Sequence, residues 1–161
     1  MGTGYIRLKR IDGIVSTSVP YLALKHTIEI PDKTAKLLGM CLYTEGCVWI
    51  EVSIDEQVLY LYKGDKIKSA YLISSGKKGM STRKGSYKMY SLYKSYPMWG
   101  LDWWCPDVPY AMFFHKEFAI HAAFWHNYFG TPASHGCVNM TEMDAKEVYE
   151  QVKKGTVVWV H

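Results

Sequence analysis

The chain has 161 residues, of which 48% are hydrophobic, 15% aromatic and 21% charged, and its formal net charge at pH 7 is +4. This length and composition are typical of one soluble globular domain that is large enough to bury a core. The basic residues are scattered, which does not indicate a nucleic-acid partner, and no stretch approaches the ~18 apolar residues that span a membrane.

The sequence of residues 1–46 predicts only short strands and a short helix, and it contains no pattern that indicates a function. Short strands are favoured over residues 21–24 and 27–30, and a short helix over residues 32–38. We interpret residues 1–46 as an N-terminal segment of unknown role, packed on a domain that spans residues 47–161.

The chain has four cysteines, and two of them are close in sequence. Cys41 and Cys47 lie on either side of a turn at Gly46 and are near enough to form a disulfide. Spacing alone does not establish disulfide geometry, so two reduced thiols are an equal alternative. Cys105 is either packed in the core or paired with one of these two.

The middle of the chain predicts strands. Apolar and polar residues alternate over residues 48–54 and again over 57–62, which is typical of two strands joined by a short acidic turn. A third strand follows over residues 66–74. Residues 76–85 are polar and contain glycine, so we predict a loop there.

Residues 86–92 predict a further strand, whereas residues 93–110 predict irregular structure. The second segment is interrupted by strand-breaking residues at Pro97, Gly100, Pro106 and Pro109. Irregular segments often carry binding function, and Trp103 and Trp104 supply large rings there. We expect at least one of the two rings to face a ligand groove; the alternative is that both anchor the segment in the core.

One helix is predicted over residues 142–154. Thr141 and Asp144 form a capping-box pattern that makes Thr141 the N-cap. An apolar stripe follows at helical spacing, formed by Ala145, Val148, Tyr149 and Val152. Gly155 predicts the end of the helix.

A cysteine and a histidine mark the candidate chemistry. Cys137 follows Gly136 at the end of a predicted loop, and His121 ends a short apolar run upstream. A thiolate attacks acyl groups and needs a nearby base, so the two form a candidate nucleophile and general base. Gly136 has no side chain beside the sulfur, which lets a carbonyl approach backbone N–H groups. The alternative is that Cys137 is a small buried hydrophobic residue.

The segment from His121 to Met140 resembles the signature of the L,D-transpeptidases, the YkuD family of enzymes that cross-link peptidoglycan. That signature is a histidine, a spacer, and then a motif that reads here Ser134-His135-Gly136-Cys137-Val138-Asn139. The likeness extends over about residues 49–160. It departs from the usual pattern at Arg83, where the family usually has proline after the threonine.

The resemblance implies both a fold and residue roles. The fold is mostly β, a curved sandwich or barrel-like pair of sheets with one helix after the cysteine loop. Cys137 is the nucleophile, and His121 is the general base and later the acid. The backbone carbonyl of Ala122 orients the imidazole, and the backbone N–H groups of Gly136 and Cys137 bind the oxyanion.

The resemblance also implies substrate contacts. Ser134, His135 and Asn139 are expected to shape the loop and touch substrate, with a hydrogen bond inside the loop as the alternative for His135. His126 and Asn127 lie in the spacer and are expected at the surface.

The reaction implied is attack of Cys137 on the amide between the third residue and D-alanine of a peptidoglycan stem. An amine of a second stem then takes the acyl group in a 3-3 cross-link. Water as the acceptor would instead make an L,D-carboxypeptidase. A zinc site built from His121, His126, His135 and Cys137 is a chemical alternative, although these spacings are unusual for zinc. A wall-binding module without activity would not need an intact Cys–His pair.

The expected partners are therefore peptidoglycan stem peptides, with no cofactor, metal or nucleic acid, and a monomeric chain. Because the family is exported, we expect the periplasm or cell wall, with an export signal removed from this chain; a cytosolic protein is the alternative. The resemblance further implies that carbapenems, more than penicillins, acylate Cys137.

Overall fold

The computed structural model describes residues 6–8, 26 and 28–161. Its strands are β1 Ile6–Leu8, β2 Ile28–Ile30, β3 Val48–Ser53, β4 Val58–Lys63, β5 Lys66–Leu72, β6 Gly85–Lys88, β7 Ser91–Trp99, β8 Trp104–His115, β9 Phe118–Ala122, β10 Val138–Met140 and β11 Val157–Val160. The helices are α1 Asp32–Leu38, a 3-10 helix Gly39–Tyr43 and α2 Glu142–Gln151. The strand predicted at residues 21–24 lies outside the described residues.

Two sheets form the body of the molecule. One has five strands in the order β5-β4-β3-β11-β6, and the other has four in the order β10-β9-β8-β7. Within them β11 runs parallel to β3 and β10 runs parallel to β9, while the other neighbours are antiparallel. The short strands β1 and β2 pair separately. The prediction of a mostly β fold with a pair of sheets is confirmed.

The main core lies between the two sheets and against α2. Alternate residues of each strand fill it, as the period of two requires, and these include Ile50, Val52, Ile120, Ala122, Val138 and Met140. Helix α2 adds Ala145 and Val148. This alternation fixes the register of β9 and β10. A slip of one residue would turn His121 and Asn139 into the apolar core.

Strands β7 and β8 form a long hairpin, so the prediction of irregular structure over residues 93–110 was wrong. Pro97 lies at a register shift, where the ladder is interrupted in any case. The pairing of β9 with β8 begins at Met112. Pro106 and Pro109 lie before Met112, in the part of β8 that has β7 as its one neighbour among the described residues. An edge tolerates proline because the open side needs no N–H donor.

The strand predicted over residues 86–92 is two strands in different sheets. β6 belongs to the five-stranded sheet and β7 to the four-stranded one. Between them Met89 is 1% exposed and packs in the core between the sheets. The chain therefore crosses from one sheet to the other at this residue.

Both predicted α-helices form, although α2 is shorter than predicted and a 3-10 helix that was not predicted follows α1. Thr141 is the N-cap of α2, and its hydroxyl accepts a hydrogen bond from the Asp144 N–H at 3.1 Å. The helix ends at Gln151 rather than at residue 154, because Val152 is extended and the Lys153 N–H donates to the Thr156 hydroxyl. A second helix, α1, forms where a short one was expected. No helix in the described ranges is long and apolar enough to cross a membrane.

Residues 28–46 pack on the outer face of the five-stranded sheet. Ile30, Leu38 and Leu42 join Trp49 and Tyr62 in a second apolar cluster there. A disulfide joins Cys41 to Cys47, with the two Cα atoms 5.3 Å apart. Of the two alternatives for this pair, the structure shows the bridged one.

The same outer face holds a buried carboxylate. Glu51 is 0% exposed and accepts hydrogen bonds from His26 Nε2 at 2.9 Å, His161 Nε2 at 2.8 Å and Tyr62 Oη at 2.7 Å. Burial alone would raise the pKa of Glu51, but these donors lower it below its usual value. Burial alone would lower the pKa of His26, yet Glu51 and Glu56 raise it to about 9. The charged pair ties residue 26 to the sheet.

Candidate active site

His121 and Cys137 come from neighbouring parallel strands. Asn139 on β10 pairs in register with His121 on β9, so Cys137 just precedes β10, two residues before that pair. Side chains two residues apart point to the same face of a sheet. Cys137 and His121 therefore share the face opposite the main core, where Cys137 packs against Ala119 and neighbouring apolar residues. Strand spacing and rise place their Cα atoms roughly 8 Å apart.

The imidazole of His121 is fixed in orientation and tautomer. Its side chain is almost fully buried, and Nδ1 donates to the backbone carbonyl of Ala122 at 2.8 Å. Nε2 is then the nitrogen that holds a lone pair. Burial lowers the pKa of His121 to about 4. The hydrogen bond to Ala122 raises this pKa, and the charge of His126 lowers it by a smaller amount. The resting ring is a neutral base at neutral pH. The contact expected between His121 and the Ala122 carbonyl is present.

Cys137 is a neutral thiol in the resting site. Its sulfur donates to the carbonyl of Glu117 at 3.7 Å, and it remains partly exposed. Burial raises the pKa of the thiol to about 11, while a hydrogen bond from the Ala119 backbone lowers it and the charge of Glu117 raises it further. The thiol is therefore protonated at neutral pH, and a nucleophilic role would require a base to remove its proton.

Ser134 organises the loop before the cysteine. Its hydroxyl accepts from the Gly136 N–H at 3.1 Å and donates to the Cys137 carbonyl. In this conformation the Gly136 N–H is used by Ser134, and its expected role as an oxyanion donor stays a prediction. The Cys137 N–H is left as the candidate oxyanion donor. Gly136 has φ 131°, a conformation that L side chains rarely adopt, so glycine is required here.

A second loop, residues 74–82, braces the cysteine loop. Thr82 Oγ1 accepts from the Gly76 N–H at 2.9 Å and donates to the Gly136 carbonyl at 2.7 Å. The Lys77 N–H donates to the Ser134 carbonyl at 2.9 Å. A side chain on Gly76 would meet the Met80 carbonyl at 2.0 Å, so the close approach needs glycine. Sequence reasoning missed this role of Thr82, although the threonine was noted as a family landmark.

Trp103 and Trp104 lie on different sides of the hairpin. Trp103 is half-buried and stacks on His135, with ring centroids 5.5 Å apart and planes 14° apart. Trp104 is 68% exposed and pairs with Trp99, whereas the next pair, Met98 with Cys105, faces the apolar cluster that includes Cys137. Trp103 is therefore next to the cysteine loop, and Trp104 points to the other face. Cys105 is free and packed in that cluster.

His126 is not a simple surface residue as expected. It is half-buried, stacks on Tyr128, and lies 3.0 Å from the Asn139 side chain through Nε2. Asn139 itself is 2% exposed. His135 is exposed, and Ser134 is buried. Within the described residues, no group of three His, Cys, Asp or Glu side chains is placed to hold a metal ion.

Residues 48–160 match the family model of the L,D-transpeptidase catalytic domain, YkuD. The chain is 30% identical over 130 residues to YciB of Bacillus subtilis (strain 168), which carries the provisional name of an L,D-transpeptidase. That alignment covers 69% of this chain and 64% of YciB.

Solved L,D-transpeptidases have the same fold. One from Mycobacterium tuberculosis H37Rv is similar with a TM-score of 0.68 and 24% identity, over 71% of this chain and 57% of that one. At this identity the likeness shows the fold alone. A mutant of the Enterococcus faecium L,D-transpeptidase is similar with a TM-score of 0.66 and 27% identity, over 71% of this chain and 49% of that one. The chain thus spans about half to two-thirds of these relatives.

Proposed function

This chain belongs to the family of L,D-transpeptidase catalytic domains, and we propose that it is a cysteine acyltransferase acting on the peptide stems of peptidoglycan. The observation that carries the proposal is the placement of Cys137 and His121 on one sheet face, with the imidazole Nδ1 held by the Ala122 carbonyl. This leaves Nε2 as a base on the side of the sheet that holds the thiol. A buried, oriented imidazole beside a cysteine is the arrangement that nucleophilic catalysis needs.

In the first step, the sulfur of Cys137 attacks the carbonyl carbon of the amide that precedes the terminal D-alanine. His121 Nε2 takes the thiol proton as the sulfur–carbon bond forms, since neither group is charged at rest. The Cys137 N–H donates to the carbonyl oxygen as it becomes negative. The carbon–nitrogen bond then breaks, and His121 returns the proton to the nitrogen of the leaving D-alanine. A thioester remains on the enzyme.

In the second step, a side-chain amine of another stem attacks the thioester carbon. His121 Nε2 removes a proton from that amine, and the sulfur leaves and regains a proton from the imidazolium. An amide between two third residues results, which is the 3-3 cross-link. The substrate is a wall polymer, so the proposal places the enzyme outside the cytoplasmic membrane, in the periplasm or cell wall.

The loops support this role by fixing the nucleophile. Thr82 and Ser134 hold the Gly136 peptide groups before the sulfur through hydrogen bonds of 2.7 and 3.1 Å, and the Ser134 hydroxyl also donates to the Cys137 carbonyl. Trp103 packs on His135 and covers one side of the loop. A site built on strands and braced loops loses little entropy when substrate binds, because its groups are already in place.

The test is incubation of the purified chain with disaccharide-tetrapeptides, read by mass spectrometry, with Cys137→Ala as the matched control. A cross-linked dimer and free D-alanine are expected from the wild type and neither from the control. A tripeptide without dimer would show that water is the acceptor, which makes the enzyme an L,D-carboxypeptidase. An unchanged substrate, with a wild-type chain that is folded, would overturn the proposal.

A further inference from the structure

Glu117 lies beside the candidate nucleophile, on the opposite side from His121. The parallel register of β9 and β10 sets Cys137 level with Ala119. His121 comes two residues after Ala119, and Glu117 comes two residues before it, directly ahead of β9. Because side chains two residues apart point to the same face, Glu117 shares the sheet face of His121 and Cys137. The thiol therefore lies between a neutral base and a carboxylate.

The contacts of Glu117 agree with this placement. Its backbone carbonyl accepts the hydrogen bond from the Cys137 thiol at 3.7 Å. Burial is the main cause that raises the pKa of Cys137, and the charge of Glu117 raises that pKa further. The same charge also raises the pKa of Tyr90, after burial and the neighbouring Tyr96. The ring of Tyr90 is 43% exposed. The carboxylate is therefore near both the thiol and the open side of the site.

The carboxylate of Glu117 is accessible and has no cationic partner in the resting site. Glu117 is exposed, and no lysine, arginine or histidine among residues 6–8, 26 and 28–161 forms an ion pair with it. A negative charge at this place disfavours a negative sulfur, so it does not assist the attack by Cys137. It is instead complementary to a positively charged group that enters the site from solvent.

We propose that Glu117 is a specificity-determining residue, which binds the ammonium group of the acceptor stem and so favours an amine over water in the second step. This inference rests on the proposed acyl transfer and deepens it. Glu117 lies upstream of the segment that carries the Cys–His signature. An ammonium only donates hydrogen bonds and a carboxylate only accepts them, so the two groups are matched in charge and in hydrogen bonding.

The second step then proceeds as follows. The acceptor arrives as an ammonium, is held by Glu117 and releases one proton to water. The lone pair of the resulting amine forms the carbon–nitrogen bond, and His121 Nε2 takes a second proton from that nitrogen. The carbon–sulfur bond breaks, its electron pair leaves on the sulfur of Cys137, and the imidazolium returns its proton there. Each cross-link releases one proton to solvent. A water molecule has no charge and gains no such attraction.

The acceptor role is tested by the ratio of cross-linked dimer to tripeptide, measured by mass spectrometry with disaccharide-tetrapeptides. Glu117→Gln removes the charge at nearly constant shape, and roughly a five-fold fall in that ratio is expected for the loss of one exposed charge pair. The rate of Cys137 acylation by a carbapenem should not fall, because the first step does not use the carboxylate. Glu117→Asp keeps the charge and should recover part of the ratio.

Two comparisons separate charge from packing. Glu150→Gln removes an exposed carboxylate on α2, is the matched control and should keep the wild-type ratio. Raising the salt concentration from about 0.05 to about 0.5 M should lower the ratio in the wild type but not in Glu117→Gln, because salt screens exposed charges. An unchanged ratio in Glu117→Gln, or equal losses in Glu117→Gln and Glu117→Asp, would overturn the inference.

The two proposals have distinguishable failures. A wild type that releases tripeptide alone would overturn the role of Glu117 and leave acyl transfer to water standing. Unchanged tetrapeptide with a folded wild type would overturn the proposed function itself.

The placement of the carboxylate is tested without any acyl transfer. Alkylation of Cys137 by iodoacetamide is followed against pH, and peptide mapping separates it from Cys105. Removing a negative charge beside a thiol favours the thiolate, so the midpoint should move to lower pH in Glu117→Gln and stay in place in Glu150→Gln. An unmoved midpoint in Glu117→Gln would show that the carboxylate is not beside the thiol, which would overturn the inference. The melting temperature of each variant is measured first.

Discussion

Cys137 and His121 lie on one face of the four-stranded sheet, held there by the parallel register that sets Asn139 opposite His121. The pair is uncharged at rest, since burial lowers the pKa of His121 to about 4 and raises that of Cys137 to about 11. This differs from a preformed thiolate–imidazolium pair. In the proposed mechanism, proton transfer from the thiol to the imidazole therefore belongs to the attack itself.

Cys137→Ala should abolish acyl transfer and leave the fold intact. The change removes the only atom that forms the thioester, while the cavity it leaves is small. Product formation by mass spectrometry and the circular dichroism spectrum are the measurements. Cys105→Ala, which removes the other free thiol in the described residues, is the control and should retain activity. Full activity in Cys137→Ala would exclude the mechanism.

The pH dependence of kcat/KM should show a broad plateau. The base must be neutral, and the pKa of His121 is about 4, so activity is fully present above that value and is lost as pH falls through it. An unperturbed histidine would instead lose activity near pH 6.5. His121→Ala should lose on the order of 10²–10⁴ in rate across the plateau. A midpoint near 6.5, or thiolate absorbance at neutral pH, would show that the resting pair is charged.

Carbapenems should form one covalent adduct with the wild-type chain, located on Cys137. A strained lactam carbonyl is attacked by the same sulfur that attacks a peptide carbonyl, and the ring opens without a leaving group departing. Intact-mass analysis followed by peptide mapping locates the adduct. Because Cys41 and Cys47 form a disulfide, the alternative thiol is Cys105. An adduct on Cys105 alone, or none on a folded sample, would contradict this prediction.

Local sequence signals predicted the parts of the fold that depend on neighbours in the chain. Alternation over β3 and β4 and the Thr141 cap were read correctly, because each depends on residues within one element. The β7–β8 hairpin was not, since tolerance of Pro106 and Pro109 depends on which side of β8 has a neighbour. That information is present only once the sheet has formed.

The same distinction holds for the site. Cys137 and His121 were predicted as the reacting pair because both belong to one chemically specific signature, a histidine, a spacer and a motif that contains the cysteine, and their roles stay a prediction. The bond from the Gly136 N–H to Ser134 and the contact of His126 with Asn139 were missed, because both depend on how loops fold back. The sequence alone does not distinguish a half-buried histidine in the spacer, such as His126, from one that is exposed to solvent.

The buried carboxylate on the other sheet should give stability a pH dependence of its own. The pKa of His26 is raised to about 9, so its stabilising contribution is full below 6.5 and is lost as pH rises through 9. The pKa of Glu51 is lowered, so its contribution is present above 4.5 and is lost as pH falls. The melting temperature should therefore decline from pH 6.5 toward pH 10.

Glu51→Gln tests whether the pair of Glu51 with His26 causes this decline in melting temperature. It should cost about 3 kcal/mol at pH 6.5, the scale for breaking a buried charge pair, and should flatten the decline above pH 7. The thermal unfolding curve against pH is the measurement. Glu45→Gln, an exposed carboxylate, serves as the control and should change neither value. A slope that persists in Glu51→Gln would mean that the pair of His26 with Glu56, or another titrating group, causes the decline.

The last prediction separates the two tryptophans at the tip of the hairpin. Trp103→Ala removes the ring that stacks on His135, so the cysteine loop loses a contact on one side. We expect a raised KM for the tetrapeptide donor and a moderate loss of stability, since the ring is also half-buried. Trp104→Ala removes a ring that is 68% exposed on the other face, and it should leave donor kinetics and melting temperature close to wild type.

The turn at Gly100 provides a second way to test the role of Trp103. The Gly100 N–H donates to the Trp103 carbonyl at 2.8 Å, and a side chain on Gly100 would meet the Trp103 indole nitrogen at 2.0 Å. Gly100→Ala should therefore displace Trp103 without removing it and raise KM in the same direction as Trp103→Ala. If Trp103→Ala and Gly100→Ala both lower the melting temperature by several degrees but keep wild-type kinetics below it, the ring is structural. In that case neither tryptophan contributes to substrate binding.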